Sequence, residues 1–290
     1  MPQWFLYALL SAIFSAAAAL SQKSVLKHID AVSFSFFVSV ANALLIGAYV
    51  TIYGLPLLGA TEAFIFLGKT LLGAFAFLCV MISIRNFELS SVLPVLAFTP
   101  ALVALAAFFF LGEKLSAIEI AGMSFMLGGI YLLEVKEKKL LMPIKKLLTA
   151  SESKYIVFAL ILFTFSSVID KTLIGVYKIR PRDFIIWQQI FAPPIFAIIF
   201  AYFAKQGKTE IKFSTKIIYL IIAISVFTIA YRFLYVKSLQ YGAVALALTV
   251  KRFSVFLAVL ASGKLLNEKN IPRKAIATII ILTGSYLLLK

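Results

Sequence analysis

The stretch Leu111-Gly-Glu-Lys114 decides the fold, because it returns as Leu266-Asn-Glu-Lys269 at a distance of 155 residues. Gly129-Ile-Tyr-Leu-Leu133 returns at the same distance as Gly284-Ser-Tyr-Leu-Leu288, and no gap is needed between the two matches. Internal similarity of this kind is typical of membrane proteins in which one helical unit occurs twice. The sequence therefore predicts two copies of a single folding unit.

The composition indicates an integral membrane protein. Of the 290 residues, 62% are hydrophobic and 14% are charged, and the mean hydropathy is +1.03. A spanning helix needs about 20 mostly apolar residues. Ten such segments can be drawn, near 3–22, 31–54, 63–84, 91–111, 117–134, 155–177, 184–204, 217–236, 243–263 and 271–289. Because apolar residues do not alternate along the chain, we predict an all-α fold rather than a barrel.

Ten segments and one repeat give two units of five helices each. Five is an odd number, so the second unit enters the membrane in the opposite orientation, and the repeat is inverted. We predict a first unit at 1–134, a basic linker at 135–153 and a second unit at 154–290. The turns fit ordinary helix chemistry, since Ser116 and Glu119 have the spacing of a capping box. Glu113 and Glu268 are assigned to caps and turns.

Several classes of protein do not fit the sequence. One Cys and one His leave no disulfide framework and little material for a metal site, so no cofactor is expected. No Ser-His-Asp set and no pair of deep carboxylates is present, so we expect no enzyme. The net charge of +16 comes mostly from Lys and Arg between the apolar segments. Such residues contact lipid head groups, so we expect a bilayer as partner and no nucleic acid.

The exception is the ninth segment, where Lys251 and Arg252 lie far from both ends in the run LTVKRFSVFLAV. Each deep charge costs at least about 2.5–3.5 kcal/mol, so these residues must face a wet cavity or a counter-ion. Asp170 is the best candidate partner, as a counter-ion or a proton site. Lys171 and Arg232 add further deep cations, so an anionic ligand is favoured. Two alternatives stay open, namely cations with a structural role and proton coupling through Asp170.

Other side chains are candidates for the wall of the predicted cavity. The principal candidates are Tyr231, Tyr235 and Gln188, followed by Trp187, Gln189 and Asn42. Each of these types is also common in helix packing and in hydrogen bonds between helices. Prolines in the fourth and seventh segments, at 94, 100, 193 and 194, should bend or break their helices.

These features resemble the drug/metabolite transporter superfamily, and within it the EamA-type transporters with two five-helix repeats. The resemblance rests on the Leu-Gly-Glu-Lys turn with Thr99-Pro100 before it, on its degenerate copy Leu-Asn-Glu-Lys, and on the helices around each. Lys251-Arg252 is similar to the pair that contacts substrate phosphate in the sugar-phosphate and triose-phosphate translocators of the superfamily. Those translocators have a further lysine in the fourth helix, which this sequence lacks.

The resemblance implies a secondary transporter that moves a small organic metabolite by alternating access. With the deep cations, we expect an anionic substrate, and a coupling proton or a counter-substrate as a further partner. An exporter of amino acids or amphipathic drugs, and a protein that handles a lipid phosphate, remain alternatives. We expect a multi-pass protein of the cell (plasma) membrane, as a monomer or homodimer. Loop charge favours termini outside the cell, whereas the resemblance implies termini in the cytoplasm.

Overall fold

The computed structural model of this protein describes residues 3–99, 101–102, 105–106, 109, 116–134, 154–209, 214–241 and 244–287. Within these residues every regular element is a helix, and there are ten of them. They are α1 Gln3–Leu26, α2 Ala31–Tyr53, α3 Ala60–Asn86, α4 Leu89–Leu96, α5 Ala117–Glu134, α6 Lys154–Gly175, α7 Pro181–Lys205, α8 Thr215–Tyr241, α9 Val244–Leu266 and α10 Ile271–Leu287. The predicted all-α class is confirmed. The linker predicted at 135–153 lies outside the described residues.

Six helices of the described chain are long and apolar enough to cross a membrane. They are Gln3–Leu26, Ala31–Tyr53, Ala60–Asn86, Lys154–Ile174, Pro181–Lys205 and Thr215–Ser238. A helix satisfies its own backbone hydrogen bonds, which is why this element suits a solvent that offers none. Pro94 lies inside α4, and Pro193 and Pro194 lie inside α7. Each proline removes one backbone donor from its helix. Pro100 lies outside the described residues.

The helices pack in pairs that follow the sequence repeat. Helix α1 packs against α8 and α9 of the second half, and its counterpart α6 packs against α3 and α4 of the first half. Helix α2 contacts α8, and correspondingly α7 contacts α3. Two further pairs, α2 with α7 and α5 with α10, join elements that correspond to each other. The packing is therefore that of two inverted five-helix repeats, as predicted.

The crossing of α5 and α10 explains why glycine occurs in both copies of the Gly-x-Tyr-Leu-Leu motif. At Gly129, an added Cβ would lie 2.5 Å from Cγ1 of Ile281 and 2.8 Å from the carbonyl oxygen of Ala277. Both distances are shorter than van der Waals contact. Gly129 therefore lets the backbone of α10 approach, as small residues do between membrane helices.

The same contact occurs a second time with the roles of the two helices exchanged. At Gly284, an added Cβ would lie 2.5 Å from the carbonyl oxygen of Gly122 and 2.6 Å from Cγ of Met126. Gly122 and Met126 lie 155 positions before Ala277 and Ile281, so the two pairs correspond in the repeat. Ala277 and Ile281 are the residues that face Gly129. The crossing is thus two-fold symmetric at the level of single residues.

Helix ends follow the predicted capping chemistry. The Ser116 backbone N–H donates to Oε2 of Glu119 at 2.6 Å, and the Glu119 N–H donates to Oγ of Ser116 at 3.2 Å. This reciprocal pair confirms the capping box at the start of α5. Glu268 also acts as a cap, but the helix it caps belongs to the other repeat. Its carboxylate accepts the N–H groups of Leu89 at 2.6 Å and Ser90 at 3.0 Å, at the start of α4. Glu113 lies outside the described residues.

Further polar contacts surround this cap. Lys274 of α10 pairs with Glu88 and donates to Oγ of Ser90 at 2.7 Å, and Ser90 Oγ donates to Glu268. Lys23 of α1 donates to the carbonyl oxygen of Phe87 at 2.6 Å. We call Lys23, Glu88, Ser90, Glu268 and Lys274 the inter-repeat polar cluster. It links the α3–α4 turn of one repeat to the α9–α10 turn of the other.

Replacing Gly129 by leucine should force α5 and α10 apart. Overpacking of this kind costs about 1–3 kcal/mol, so the detergent-solubilised variant should unfold at a lower temperature. Gly128 is the matched control, because an added Cβ there meets nothing within 4 Å. Gly128→Leu should unfold near the wild-type temperature. Equal unfolding temperatures for the two variants would show that the crossing tolerates a side chain.

Glu268→Gln should destabilise the folded protein by about 1 kcal/mol at neutral pH, since a half-exposed carboxylate loses its charged hydrogen bonds. Burial alone raises the pKa of Glu268, but the hydrogen bonds from Ser90 and Leu89 outweigh it and hold the pKa below its usual value. The stabilisation is therefore complete above the ordinary glutamate pKa of about 4.3 and is lost as the pH falls through the lowered value. Unfolding curves against pH should show the two proteins converging in acid. Glu119→Gln, a cap within one helix, should change stability less.

Candidate functional site

A cavity lies between α2, α3, α7 and α8. These helices form two pairs of corresponding elements, α2 with α7 and α3 with α8, so the cavity lies where the two repeats meet. It contains about 530 Å³ of empty space, including the part that is open to the outside. The polar residues of its wall include Asn42, Thr70, Gln188, Gln189, Thr228 and Arg232. Phe77, Phe196 and Tyr231 supply aromatic surface.

Four polar atoms of this wall are buried without a hydrogen-bond partner among the described residues. They are Oδ1 of Asn42, Oε1 of Gln188, Oγ1 of Thr228 and Nε of Arg232. Buried polar groups in folded proteins are nearly always paired, so unpaired groups call for an explanation. Four that line a single cavity provide both donors and acceptors for a polar solute.

Lys69 of α3 forms an ion pair with Asp170 of α6, at 3.1 Å between Nζ and Oδ1. The lysine side chain is 2% exposed and the aspartate 37% exposed. Nζ of Lys69 also lies 4.2 Å from the ring centroid of Phe184, a cation–π contact. The expectation that Asp170 pairs with a cation of the ninth helix is therefore wrong. A lysine of the third helix takes that place, because α6 packs against α3.

The ninth-helix pair has a different environment. Nζ of Lys251 lies 4.0 Å from the ring centroid of Tyr235 and 5.3 Å from that of Tyr231. Nε of Arg252 is buried and without a partner in the described part of the chain. Neither cation lines the cavity itself, whereas Tyr231 does. Tyr231 therefore contacts both the cavity and the ammonium group of Lys251.

The charges around the cavity are electrostatically connected. Asp170 acts on Lys69, Lys251 and Tyr235, and Arg232 acts on both lysines. In the described residues this group contains four cations, Lys69, Arg232, Lys251 and Arg252, and one carboxylate, Asp170. Of these five residues, Arg232 is the one that lines the cavity.

The remaining candidates divide into wall residues and packing residues. Asn42, Gln188 and Gln189 line the cavity, and their contact with a substrate stays a prediction. Trp187 does not belong to the described wall, and its ring lies 5.8 Å from that of Phe191. Lys171 is a residue of α6, but its side chain lies outside the described residues.

Sequence reasoning missed Lys69 and the small polar wall residues Ser35, Ser39, Thr70 and Thr228. For Lys69 the signal was present, because it lies nine residues inside α3, or about 14 Å from the helix start. Like Lys251, Lys69 lies far from both ends of its helix, so it needs a wet cavity or a counter-ion. Serine and threonine give no such signal, since they bond to the preceding turn of their own helix, as Thr70 does to the Phe66 carbonyl oxygen at 2.6 Å.

Two comparisons with known proteins agree with this architecture. The model of the EamA-like transporter family matches residues 2–135 and 152–290. A solved structure described as "Crystal structure of protein" superposes with a TM-score of 0.69 at 13% sequence identity, covering 99% of this chain and 98% of that one. This similarity shows the fold alone. No curated protein matches the chain.

An inverted-repeat membrane fold around a polar cavity is the architecture of membrane carriers. The chain belongs to the EamA-like transporter family, since the family model matches both halves. It is therefore an integral, multi-pass membrane protein that transports small molecules. The similarity of Lys251-Arg252 to the sugar-phosphate translocators stays a prediction.

Proposed function

We propose that this protein moves a small organic anion through the cavity between its repeats by alternating access, and that Arg232 holds the anionic group. The observation that carries the proposal is the position of Arg232. It lines the cavity, and its buried Nε has no hydrogen-bond partner among the described residues. A guanidinium group binds a carboxylate or a phosphate through two parallel hydrogen bonds.

The charge balance supports an anionic ligand over a neutral one. Among the described residues Arg232 forms no ion pair, and Asp170, which acts on the same lysines as Arg232, is paired with Lys69. Leaving a deep cation without a counter-charge is costly in an apolar bundle. An anion in the cavity supplies the missing charge.

The rest of the wall restricts the kind of anion. Phe77, Phe196 and Tyr231 offer apolar surface, while the amides of Asn42 and Gln188 offer both a donor and an acceptor. The wall suits an anion with an apolar or aromatic body and one or two further polar groups.

Alternating access requires contacts between the repeats that form in one state and break in another. The inter-repeat polar cluster has this character, because it consists of ion pairs and charged hydrogen bonds between turns rather than of interlocked apolar side chains. Separation of the turns would expose Lys274, whose side chain is 9% exposed, and Glu88, whose side chain is 46% exposed, so that water could replace their ion pair. The α5–α10 crossing, by contrast, is close-packed on both sides. We infer that the repeats rotate about this crossing and separate at the cluster.

A second candidate is an exporter of amino acids or amphipathic drugs, in which the cations are structural. The contact of Lys251 with the rings of Tyr235 and Tyr231 favours this reading for that residue, since its charge is compensated within the protein. In such an exporter the aromatic wall would provide most of the binding energy.

Arg232→Gln should reduce transport of anions about tenfold or more, because a charged bidentate contact is lost. The measurement is uptake by purified protein in liposomes, with benzoate, benzenesulfonate, succinate and glycerol 3-phosphate as anions. Phenylalanine and tetraphenylphosphonium represent the second candidate. Arg180→Gln is the matched control, because that side chain is 69% exposed and pairs with Asp183 at the start of α7. Thermal unfolding of each variant verifies that it is folded.

Wild-type transport of phenylalanine or tetraphenylphosphonium without transport of any of the four anions would reject the anion carrier. The same conclusion follows if Arg232→Gln, folded and inserted, moves the anions at the wild-type rate. Arg232→Lys keeps the charge but not the planar pair of donors, so its transport rate should lie between those of the wild type and the glutamine variant.

Cross-linking residues 88 and 274 should stop transport by alternating access. Glu88→Cys and Lys274→Cys, combined with Cys79→Ala to remove the buried native thiol, place two thiols where the wild type has an ion pair. A short bifunctional thiol reagent with a reducible link should abolish uptake, and reduction should restore it. Each single-cysteine variant treated in the same way is the control. Undiminished uptake by the cross-linked protein would contradict movement at this cluster.

A further inference from the structure

The unpaired polar atoms of the cavity wall differ in chemistry from one helix to the next. On α8, Nε of Arg232 can only donate a hydrogen bond, and the hydroxyl of Thr228 can donate one. On α2 and α7, the unpaired atoms are the amide oxygens of Asn42 and Gln188, which can only accept. Helices α2 and α7 pack against each other. The wall therefore offers donors from α8 and acceptors from the α2–α7 pair.

Thr228 and Arg232 form the donor part of this wall. They are four residues apart on α8, so they share one face of the helix and are separated by about 6 Å along its axis. A threonine hydroxyl in a helix usually donates to a carbonyl of the preceding turn, as Thr70 does. Among the described residues Thr228 has no such partner. Its hydroxyl is therefore free to donate to the anionic group that Arg232 holds.

The acceptor part of the wall lies deep in the bundle. Asn42 is eleven residues from either end of α2, and Thr228 is thirteen residues from either end of α8. Transporters built from inverted repeats bind their substrates at such a depth, near the middle of the bilayer. The Asn42 residue is 5% exposed, and an amide oxygen buried there without a partner is costly. The missing partner has to come from inside the cavity.

Water can supply that partner while the cavity is free of solute, but a solute that enters displaces the water. A ligand that does not replace the hydrogen bonds of a displaced water loses affinity. An anion with a purely apolar body would leave the oxygens of Asn42 and Gln188 unpaired. An anion whose body carries an O–H or N–H group would pair with them.

We propose that the substrate anion carries an uncharged O–H or N–H group on its body, and that Asn42 and Gln188 select for this donor. This inference rests on the proposed function and narrows its substrate class to hydroxy- or amino-substituted organic anions. Arg232 and Thr228 bind the anionic group, while the two amide oxygens accept from the donor. The described wall contains one cation and no carboxylate, so an uncharged donor is favoured over an ammonium group.

The test compares the affinities of substituted benzoates for the purified full-length protein at pH 7, measured by calorimetry. The hydroxy- and aminobenzoates supply an O–H or an N–H donor, in both the 3- and the 4-isomers. The methylbenzoates have a substituent of similar size without a donor, and the methoxybenzoates have an acceptor alone. At least one donor-bearing isomer should bind about tenfold or more tightly than its methyl analogue, because the methyl group leaves buried acceptors unpaired. The methoxy analogues should bind no more tightly than the methyl analogues.

Asn42→Leu and Gln188→Met keep the approximate shape of the side chain and remove its acceptor. Each should bring the ratio between the affinities of the donor-bearing and methyl analogues closer to one. The ratio is the informative quantity, because a general change in the shape of the cavity weakens both ligands. Gln22→Met is the matched control, since Gln22 is a buried amide of α1 outside the described wall. It should keep the wild-type ratio. Thr228→Val should weaken all benzoates by a similar factor.

The outcomes separate this inference from the function on which it rests. If no benzoate binds and none of the transport anions moves, the proposed function fails. If benzoates bind but the donor-bearing ones bind no more tightly than their methyl analogues, only the selection for a donor is overturned. The same holds if both Asn42→Leu and Gln188→Met keep the wild-type ratio, or if the methoxy analogues bind most tightly. A gain limited to the hydroxy or to the amino series supports the inference and identifies the donor.

Discussion

Charge inside an apolar helical bundle has to be compensated, and this requirement shapes the region around the cavity. A charged residue near the middle of a membrane helix costs at least about 2.5–3.5 kcal/mol. Three of the four deep cations meet this cost in different ways. Lys69 has a carboxylate at 3.1 Å, Lys251 has the ring of Tyr235 at 4.0 Å, and Arg232 lines the cavity. Arg232 and Arg252 each have a buried Nε without a partner among the described residues, and of these two Arg232 is the one that lines the cavity.

The scaffold is symmetric and the charges are not. Packing of corresponding helices and the paired glycine contacts of α5 and α10 obey the two-fold relation between the repeats. The positions that correspond to Lys251 and Arg252 are Leu96 and Ala97, both of which are buried and apolar. Because the backbone is symmetric, helices of one repeat pack against the partners that correspond to those of their counterparts in the other repeat. Asymmetry of the side chains places the Lys251-Arg252 pair in one repeat and apolar residues at the corresponding positions of the other.

Most of the fold and part of the site can be predicted from the sequence. A repeat of 155 residues and an odd number of helices per unit are sufficient to predict the inverted architecture, and the spacing of Ser116 and Glu119 predicts their cap. The partners of Asp170 and Glu268 could not be predicted in this way. Lys69 is 101 positions from Asp170, and Glu268 is 178 from Ser90. Contacts over such distances depend on which helices become neighbours, and one sequence gives no spacing rule for that.

The α5–α10 contact has a bearing on how such a chain could arise. Gly129 and Gly284 face residues that correspond to each other in the two repeats. The contact is therefore isologous, like the interface of a two-fold homodimer. Two separate copies of a five-helix ancestor, inserted in opposite directions, would find the same complementary surface without any change of sequence. Duplication and fusion would then preserve an association that already existed. Once both halves were on one chain, each was free to acquire its own charges.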